Sequence, residues 1–322
     1  MSLEFIQATI VADMQQVDRV IHASLKSEVA LINQISTYIV QSGGKRLRPA
    51  LVLLSAGIFG AVKPHHHTLA AIVEFIHTAT LLHDDVVDES DKRRGKATAN
   101  SLYGNAASVL VGDFLYSRAF QMMVEIENMR VMSILSEATN IIAEGEVIQL
   151  LNIHNDQVTQ AQYLKVIHYK TAKLFEAASR LGAVINHANP QDENALATYG
   201  MHLGTAFQLI DDVLDLSGDA EAIGKNLGDD IAEGKPTLPL IITMQLGTEA
   251  QKLCVKNAIQ QGGLEHLADV IAAVKATNAL DVVKKIAEQE AQSAIAAIKD
   301  LPENIYKESL IKLATFSVNR SF

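Results

Sequence analysis

Apolar positions through the middle of the chain recur at helical spacing, not in alternation. Ile72, Phe75, Ile76 and Ala79 form the clearest run, at the i, i+3, i+4, i+7 steps of one helix face. The same spacing predicts helices over Thr68 to about Asp88, Ala106 to about Ile126, Met129 to about Leu151, Val158 to about Leu181 and Asp192 to about Leu216. The six prolines, Pro49, Pro64, Pro190, Pro236, Pro239 and Pro302, all fall at breaks in this pattern, with Pro49 suited to the first turn of a helix. Between Pro64 and Pro190 the chain carries none. From Ser217 to Thr237 the apolar period stops, and Gly218, Gly224, Gly228 and Gly234 are interleaved with charged residues. That segment reads as a loop, long enough to belong to the functional or disordered class. Beyond Pro239 shorter amphipathic helices return, such as Val282 to Ile298.

Composition narrows the fold class. Hydrophobic residues make up 48% of the 322 positions, yet tryptophan is absent and aromatic residues are only 5%, which suits Ala- and Leu-rich helices better than a sheet core. The expectation is an all-α protein. The segments LLHDDVVDES and QLIDDVLDLS echo each other and could face one another across one bundle. No composition shift marks a linker between them, so residues 1–322 are read as a single domain.

Charge and cysteine content exclude several classes. The lone Cys254 cannot form an intrachain disulfide, and no basic stretch followed by an apolar run and cleavage site opens the chain; a cytoplasmic location is expected. The longest charge-free apolar stretch, Pro49 to Val62, is shorter than the roughly 20 residues of a spanning helix, so no transmembrane segment is expected. A formal net charge of -10 argues against nucleic acid. Against that acidic background two basic clusters stand out: Lys45, Arg46 and Arg48, then Lys92, Arg93, Arg94 and Lys96.

The two echoing segments carry the candidate chemistry. Each contains a DDxxD motif, Asp84, Asp85 and Asp88 in the first and Asp211, Asp212 and Asp215 in the second. On a helix Asp84 and Asp88 lie one turn apart on the same face, while Asp85 is rotated by about 100°. Like charges at ~4 Å repel by about 4 kcal/mol at an effective dielectric near 20, so a cation is needed. Magnesium fits, because it takes oxygen ligands and bridges one or two carboxylates to substrate phosphates. One such motif alone is more often a solvated acidic surface. Two copies, each preceded by apolar helix, weigh against that reading. Lys45, Arg48, Arg93 and Arg94 supply the donors that phosphate oxygens require. Gly43-Gly44-Lys45 is not a P-loop, since no Ser or Thr follows the lysine.

These residues resemble the trans-prenyltransferase, or polyprenyl diphosphate synthase, family. GGKRLRP from Gly43, HDDVVDESDKRRG from His83, KTA from Lys170, FQLIDDVLD from Phe207 and GDDIAEGKPTLP from Gly228 follow that family's order and spacing across nearly the whole chain. Among subfamilies the likeness is greatest to bacterial octaprenyl diphosphate synthases. The resemblance implies a barrel of antiparallel helices around a deep apolar cavity, working as a homodimer, with several Mg2+ ions per site. It implies metal binding by Asp84, Asp85, Asp88, Asp211, Asp212 and Asp215. It also implies contacts to the allylic diphosphate from Arg93, Lys170, Thr171, Gln208, Lys225 and Lys235, and to isopentenyl diphosphate from Lys45, Arg48, His77 and Arg94. Asp84, Asp88, Lys170, Thr171, Gln208 and Asp211 would carry the catalysis: departure of diphosphate, attack by the isopentenyl double bond and loss of a proton. The product would be a long all-trans polyprenyl diphosphate, delivered to the membrane for the quinone side chain.

Product length is implied by the residues just before the first motif. Ala79 and Thr80 are both small, which would leave the tail channel open and favour a long product; Met122, Met123 or Phe120 could form the floor, though each suits ordinary core packing better. Thr80 falls within about 40° of Asp84 and one turn deeper. Other signals have bland readings. Glu74-Phe75-Ile76-His77 matches half of a helical di-iron motif but lacks a second copy. His65-His66-His67 suits a solvated helix start, and Cys254 a half-buried spectator. The second intact DDxxD and the isopentenyl-site residues argue against a terpene cyclase or head-to-head synthase, and a noncatalytic partner subunit would be expected to lose motif residues, whereas both motifs are complete here.

Overall fold

Helix α4 (Pro64–Val87) shows how the apolar pattern becomes structure. Leu69, Ile72, Val73, Phe75, Ile76, Ala79 and Leu82 are all buried along it, so it is a core helix and not a surface one. Burial of Ile72, Phe75 and Ile76 contributes on the order of 2 kcal/mol each. The computed structural model describes residues 2–41, 43–93, 95–217 and 227–320, and the chain is all-α. Before α4 come α1 (Ser2–Ser24), α2 (Ala30–Gln41) and α3 (Leu47–Ile58). After it come α5 (Ala99–Tyr103), α6 (Asn105–Glu125), α7 (Met129–Asn152), α8 (Gln160–Ile167), α9 (Lys173–Ile185) and α10 (Pro190–Ser217). The remainder is α11 (Asp229–Ala232), α12 (Leu238–Leu246), α13 (Glu249–Gln261), α14 (Leu267–Ala276), α15 (Ala279–Ala297) and α16 (Ile305–Asn319). Among the described residues the only strands are Lys92–Arg93 and Lys96–Ala97, an antiparallel pair with Arg93 opposite Lys96.

Two compact units divide the chain, each assembled from three stretches. The first comprises Met1–Thr139, Leu174–Gly200 and Ala297–Leu313. Within it α4 packs against α1, α3 and α6. Glycine permits two of its close approaches: a methyl at Gly112 on α6 would collide with the His83 imidazole, and one at Gly182 on α9 would come 2.5 Å from the Ala56 nitrogen on α3. The second unit comprises Asn140–Lys173, Met201–Ala296 and Ala314–Phe322. Its core joins Tyr163 and Ile167 of α8, Leu209 and Val213 of α10, Leu240 of α12, Val255 of α13 and Val283 of α15. Helices α8 and α13 start at capping boxes, Thr159 with Gln162 and Thr248 with Gln251, each cap stabilising its helix by about 1 kcal/mol.

The structure corrects several predicted boundaries. Helix α4 begins at Pro64 and not Thr68, because Pro64 suits the first turn and Lys63 N–H donates to His66 Nδ1 at 2.9 Å. His65, His66 and His67 therefore lie inside the helix. His66 is buried, not solvated, and burial lowers its pKa to about 4. The helix predicted from Val158 to Leu181 starts at Gln160, behind the Thr159 cap, and extends to Ile185. A π-helical turn, His168–Ala172, interrupts it. The predicted loop from Ser217 to Thr237 contains the short α11, and residues 218–226 lie outside the described ones.

Candidate active site

In the first unit, the candidate anion-binding residues enter where α3 begins. Gly43 and Arg46 have positive φ (82° and 49°), and this tight bend places Lys45 and Arg48 on either side of the helix start. Arg48 Nη1 lies 3.0 Å from His77 Nε2, and its guanidinium stacks 4.6 Å above the Phe175 ring. Arg46 pairs with Glu74 at 3.4 Å. The Glu74 and His77 side chains that imitate a di-iron half-motif thus hold two arginines.

The first DDxxD closes α4. Asp84 and Asp88 are half-buried, and Asp88 N–H donates to Asp84 O at 2.8 Å, so the helical relation of the two persists to the last residue. Asp85 turns inward. It is buried, and its Oδ1 accepts from Arg93 Nε at 2.8 Å and Nη2 at 2.7 Å. Burial raises the Asp85 pKa, and the Arg93 hydrogen bond and charge oppose that rise. Its Oδ2 is buried without a hydrogen-bond partner. A small cleft is lined by Gly43, His77, Asp85 and Arg93 together with Tyr38 and Thr98. Ala79 is fully buried, whereas Thr80 is half-buried and donates to His77 O at 2.8 Å. Arg94 lies outside the described residues.

In the second unit, Lys170 and Thr171 sit in the π-helical turn, a local rewinding that often marks functional sites. Gly145 of α7 permits it: a methyl there would lie 2.7 Å from the Lys170 nitrogen. Lys170 Nζ pairs with Glu146 at 2.6 Å, and Thr171 Oγ1 donates to Gln208 Oε1 at 3.1 Å. The second DDxxD repeats the inward turn of its middle member. Asp212 is buried and accepts from Gln208 Nε2 at 2.9 Å and from the Tyr163 hydroxyl. Burial first, and Asp230 second, push its pKa up to about 8, against the pull of those two donors. Asp211 is 43% exposed and pairs with Arg320 at 2.7 Å, while Asp215 is half-buried. Lys235 pairs with Glu233. Its turn is clasped by His154, whose N–H donates to Gly234 O at 2.9 Å and whose Nδ1 lies 3.0 Å from Ile259 O. Lys225 lies outside the described residues.

The donors fit a hard divalent cation only in company. Among the described residues no three His, Cys, Asp or Glu side chains converge to hold an ion by themselves. An ion of the magnesium type does not require that, since it retains waters and shares one or two carboxylates with phosphate oxygens. Every candidate ligand is a carboxylate oxygen, and the unmet Asp85 Oδ2 adds a buried acceptor. Sequence reasoning missed Glu146, His154, Tyr163 and Arg320. None lies in a motif, and each acts through a partner distant in the chain.

The profile of the polyprenyl synthetase family matches residues 29–277. This chain belongs to that family. It is 51% identical over 321 residues to the octaprenyl diphosphate synthase of Escherichia coli K12, covering 99% of both chains. It is also 51% identical to that of Haemophilus influenzae, over 100% of this chain and 98% of the relative. Among solved structures, a polyprenyl synthase from Caulobacter crescentus, crystallised with calcium and isoprenyl diphosphate, superimposes with a TM-score of 0.96 at 43% identity, covering 99% of this polyprenyl synthetase and 98% of that chain.

Proposed function

We propose that this polyprenyl synthetase condenses isopentenyl diphosphate with an allylic diphosphate, farnesyl diphosphate as primer, to build all-trans octaprenyl diphosphate for a quinone side chain. The observation that carries the reading is the repeated DDxxD, each copy on a long helix and already paired with an arginine, Arg93 on Asp85 and Arg320 on Asp211. Full-length identity to octaprenyl diphosphate synthases supports the product class. It also supports treating residues 1–322 as one functional domain.

The chain's residues divide the work by charge. Asp84, Asp88, Asp211 and Asp215 would hold Mg2+, with Asp85 and Asp212 behind them. When bound, that metal neutralises charge on the departing diphosphate. Arg93, Lys170, Lys225 and Lys235 bind the allylic diphosphate and stabilise the same charge as it develops. Lys45, Arg48, His77 and Arg94 hold isopentenyl diphosphate, so that its double bond reaches the allylic cation. Thr171 and Gln208 lie beside Lys170, and released diphosphate takes the final proton. Ala79 and Thr80 leave the tail channel open. The enzyme works in the cytoplasm, and among the described residues no helix is long and apolar enough to cross a membrane. Homodimer formation is supported by exposed apolar Leu110, Val124 and Met129. The test is incorporation of labelled isopentenyl diphosphate after chelator treatment. Activity should vanish and return with magnesium; activity unaffected by chelation would reject the metal-dependent reading.

A further inference from the structure

The turn that carries Lys235 is held from outside by two segments that contain no motif residue. From Asp229 to Lys235 the chain closes on itself: Lys235 N–H donates to Asp230 O at 2.8 Å, and Gly234 N–H to Ile231 O at 2.9 Å. Gly228 N–H donates to Asp215 O at 3.0 Å, which ties the start of this turn to the second DDxxD. Its far end is fixed at two carbonyls. Gly234 O accepts from His154 N–H, in the connection between α7 and α8, and Ala232 O accepts from Gly263 N–H, just beyond α13, each at 2.9 Å. On an uninterrupted helix the Gly263 N–H would serve Ile259 O, four residues back. Here the His154 ring takes over, with Nδ1 3.0 Å from Ile259 O; a carbonyl only accepts, so Nδ1 bears the hydrogen. His154 itself lies in the left-handed region, at φ 62°, and a methyl at Gly234 would collide with its imidazole.

We infer that His154 is a positioning residue for the allylic diphosphate: its ring and backbone lock the end of α13 and the Asp229–Lys235 turn into one junction, and so set where Lys235 stands relative to the second DDxxD. This rests on the function proposed above, which gives Lys235 to that diphosphate. Removing the ring leaves Ile259 O without its donor, and Gly263 N–H is then drawn back to that carbonyl and away from Ala232 O. The Lys235 turn loses an anchor as a result. The connection is also docked on α13 next to His154, since Asp156 accepts from Gln260 Nε2 at 2.8 Å and lies 3.6 Å from Lys256 Nζ. Lys45, Arg48 and His77, assigned to isopentenyl diphosphate, belong to the other compact unit, so the effect falls on one substrate.

His154→Ala removes the ring donor and puts alanine at a positive φ that it rarely adopts. The expected result is a rise in KM for farnesyl diphosphate of at least about ten-fold, with KM for isopentenyl diphosphate within about two-fold of wild type. His154→Asn should bring the farnesyl diphosphate KM back to within about three-fold, because asparagine tolerates the left-handed backbone and its amide can donate to Ile259 O. On a Lys235→Met background, His154→Ala should add little, since it acts through that lysine. Equal rises in both KM values, an asparagine variant as impaired as the alanine one, or multiplicative losses in the double variant would each overturn the inference. Should His154→Ala fail to fold by circular dichroism, His154→Gly, which accepts the backbone and lacks only the ring, carries the same criteria. Wild-type enzyme that does not elongate would sink the function itself; active wild type beside a His154→Ala enzyme with unchanged KM for farnesyl diphosphate would sink only this inference.

Discussion

Replacing Arg320 with methionine is expected to weaken both the fold and the metal affinity of the enzyme. The Arg320 side chain is 3% exposed, and its Nη2 donates to Phe207 O at 2.6 Å while Nε donates to Ser317 O at 3.2 Å. Two such charge-assisted bonds contribute about 3 kcal/mol together. The guanidinium also lies 3.7 Å from the centre of the Phe207 ring, worth about 0.5 kcal/mol more. The ion pair with Asp211 adds under about 1 kcal/mol, because that carboxylate is 43% exposed and water screens it. Methionine keeps the packing over the ring, so the net loss is about 3 kcal/mol. At about 2.1 cal/mol/K per residue over 322 residues, the melting temperature should fall by roughly 4 °C. Asp211 would lose the partner that fixes its rotamer, and half-saturating magnesium should rise about ten-fold, the lower end for losing a supporting contact at a metal site. Thermal melts and magnesium titrations of isopentenyl incorporation read the two effects. Arg320→Lys should fall between, since it keeps charge but not the planar fork. An Arg320→Met enzyme with unchanged melting temperature and magnesium dependence would refute the reasoning.

Ala79→Tyr should shorten the product, because the proposed function gives the small side chain at position 79 to the wall of the tail channel, where a phenol would obstruct it; unchanged product length on chromatography would contradict that role. The overpacked variant should also lose about 1–3 kcal/mol of stability. His66 predicts a pH dependence. Its folded pKa, about 4, lies below the ordinary 6.5, so between these values the unfolded chain takes up a proton that the fold refuses. Stability should therefore be full above pH 6.5 and fall by up to about 3 kcal/mol as pH drops to 4, and His66→Gln should flatten that slope in urea midpoints. Asp88→Asn should cut kcat/KM by more than about 10–100-fold, beyond the loss from a supporting contact alone, without lowering the melting temperature; retained activity would remove Asp88 from the metal set.

The parts legible in sequence were those written locally. The core face of α4 follows from Ile72, Phe75, Ile76 and Ala79, and the all-α class from composition and period. The same spacing is present in Ile6, Ile10, Val17 and Ile21, the buried face of α1, where polar interruptions dilute it. The π-helical turn at His168–Ala172 has no local signature, and the room it occupies is left by a glycine on another helix, Gly145. The inward turns of Asp85 and Asp212 follow the same logic. A helical wheel separates Asp85 from Asp84 and Asp88 by rotation, but whether that direction meets solvent or a buried Arg93 is decided by tertiary packing. Tyr163 and Arg320 were invisible for that reason: alone in the sequence, each gains meaning only from the carboxylate it meets.

Product length tests the central claim most directly. Purified protein incubated with farnesyl diphosphate, labelled isopentenyl diphosphate and magnesium should yield an all-trans product of octaprenyl length. Intact helical folding with no elongation, or a cyclised hydrocarbon in place of a polyprenyl diphosphate, would contradict it.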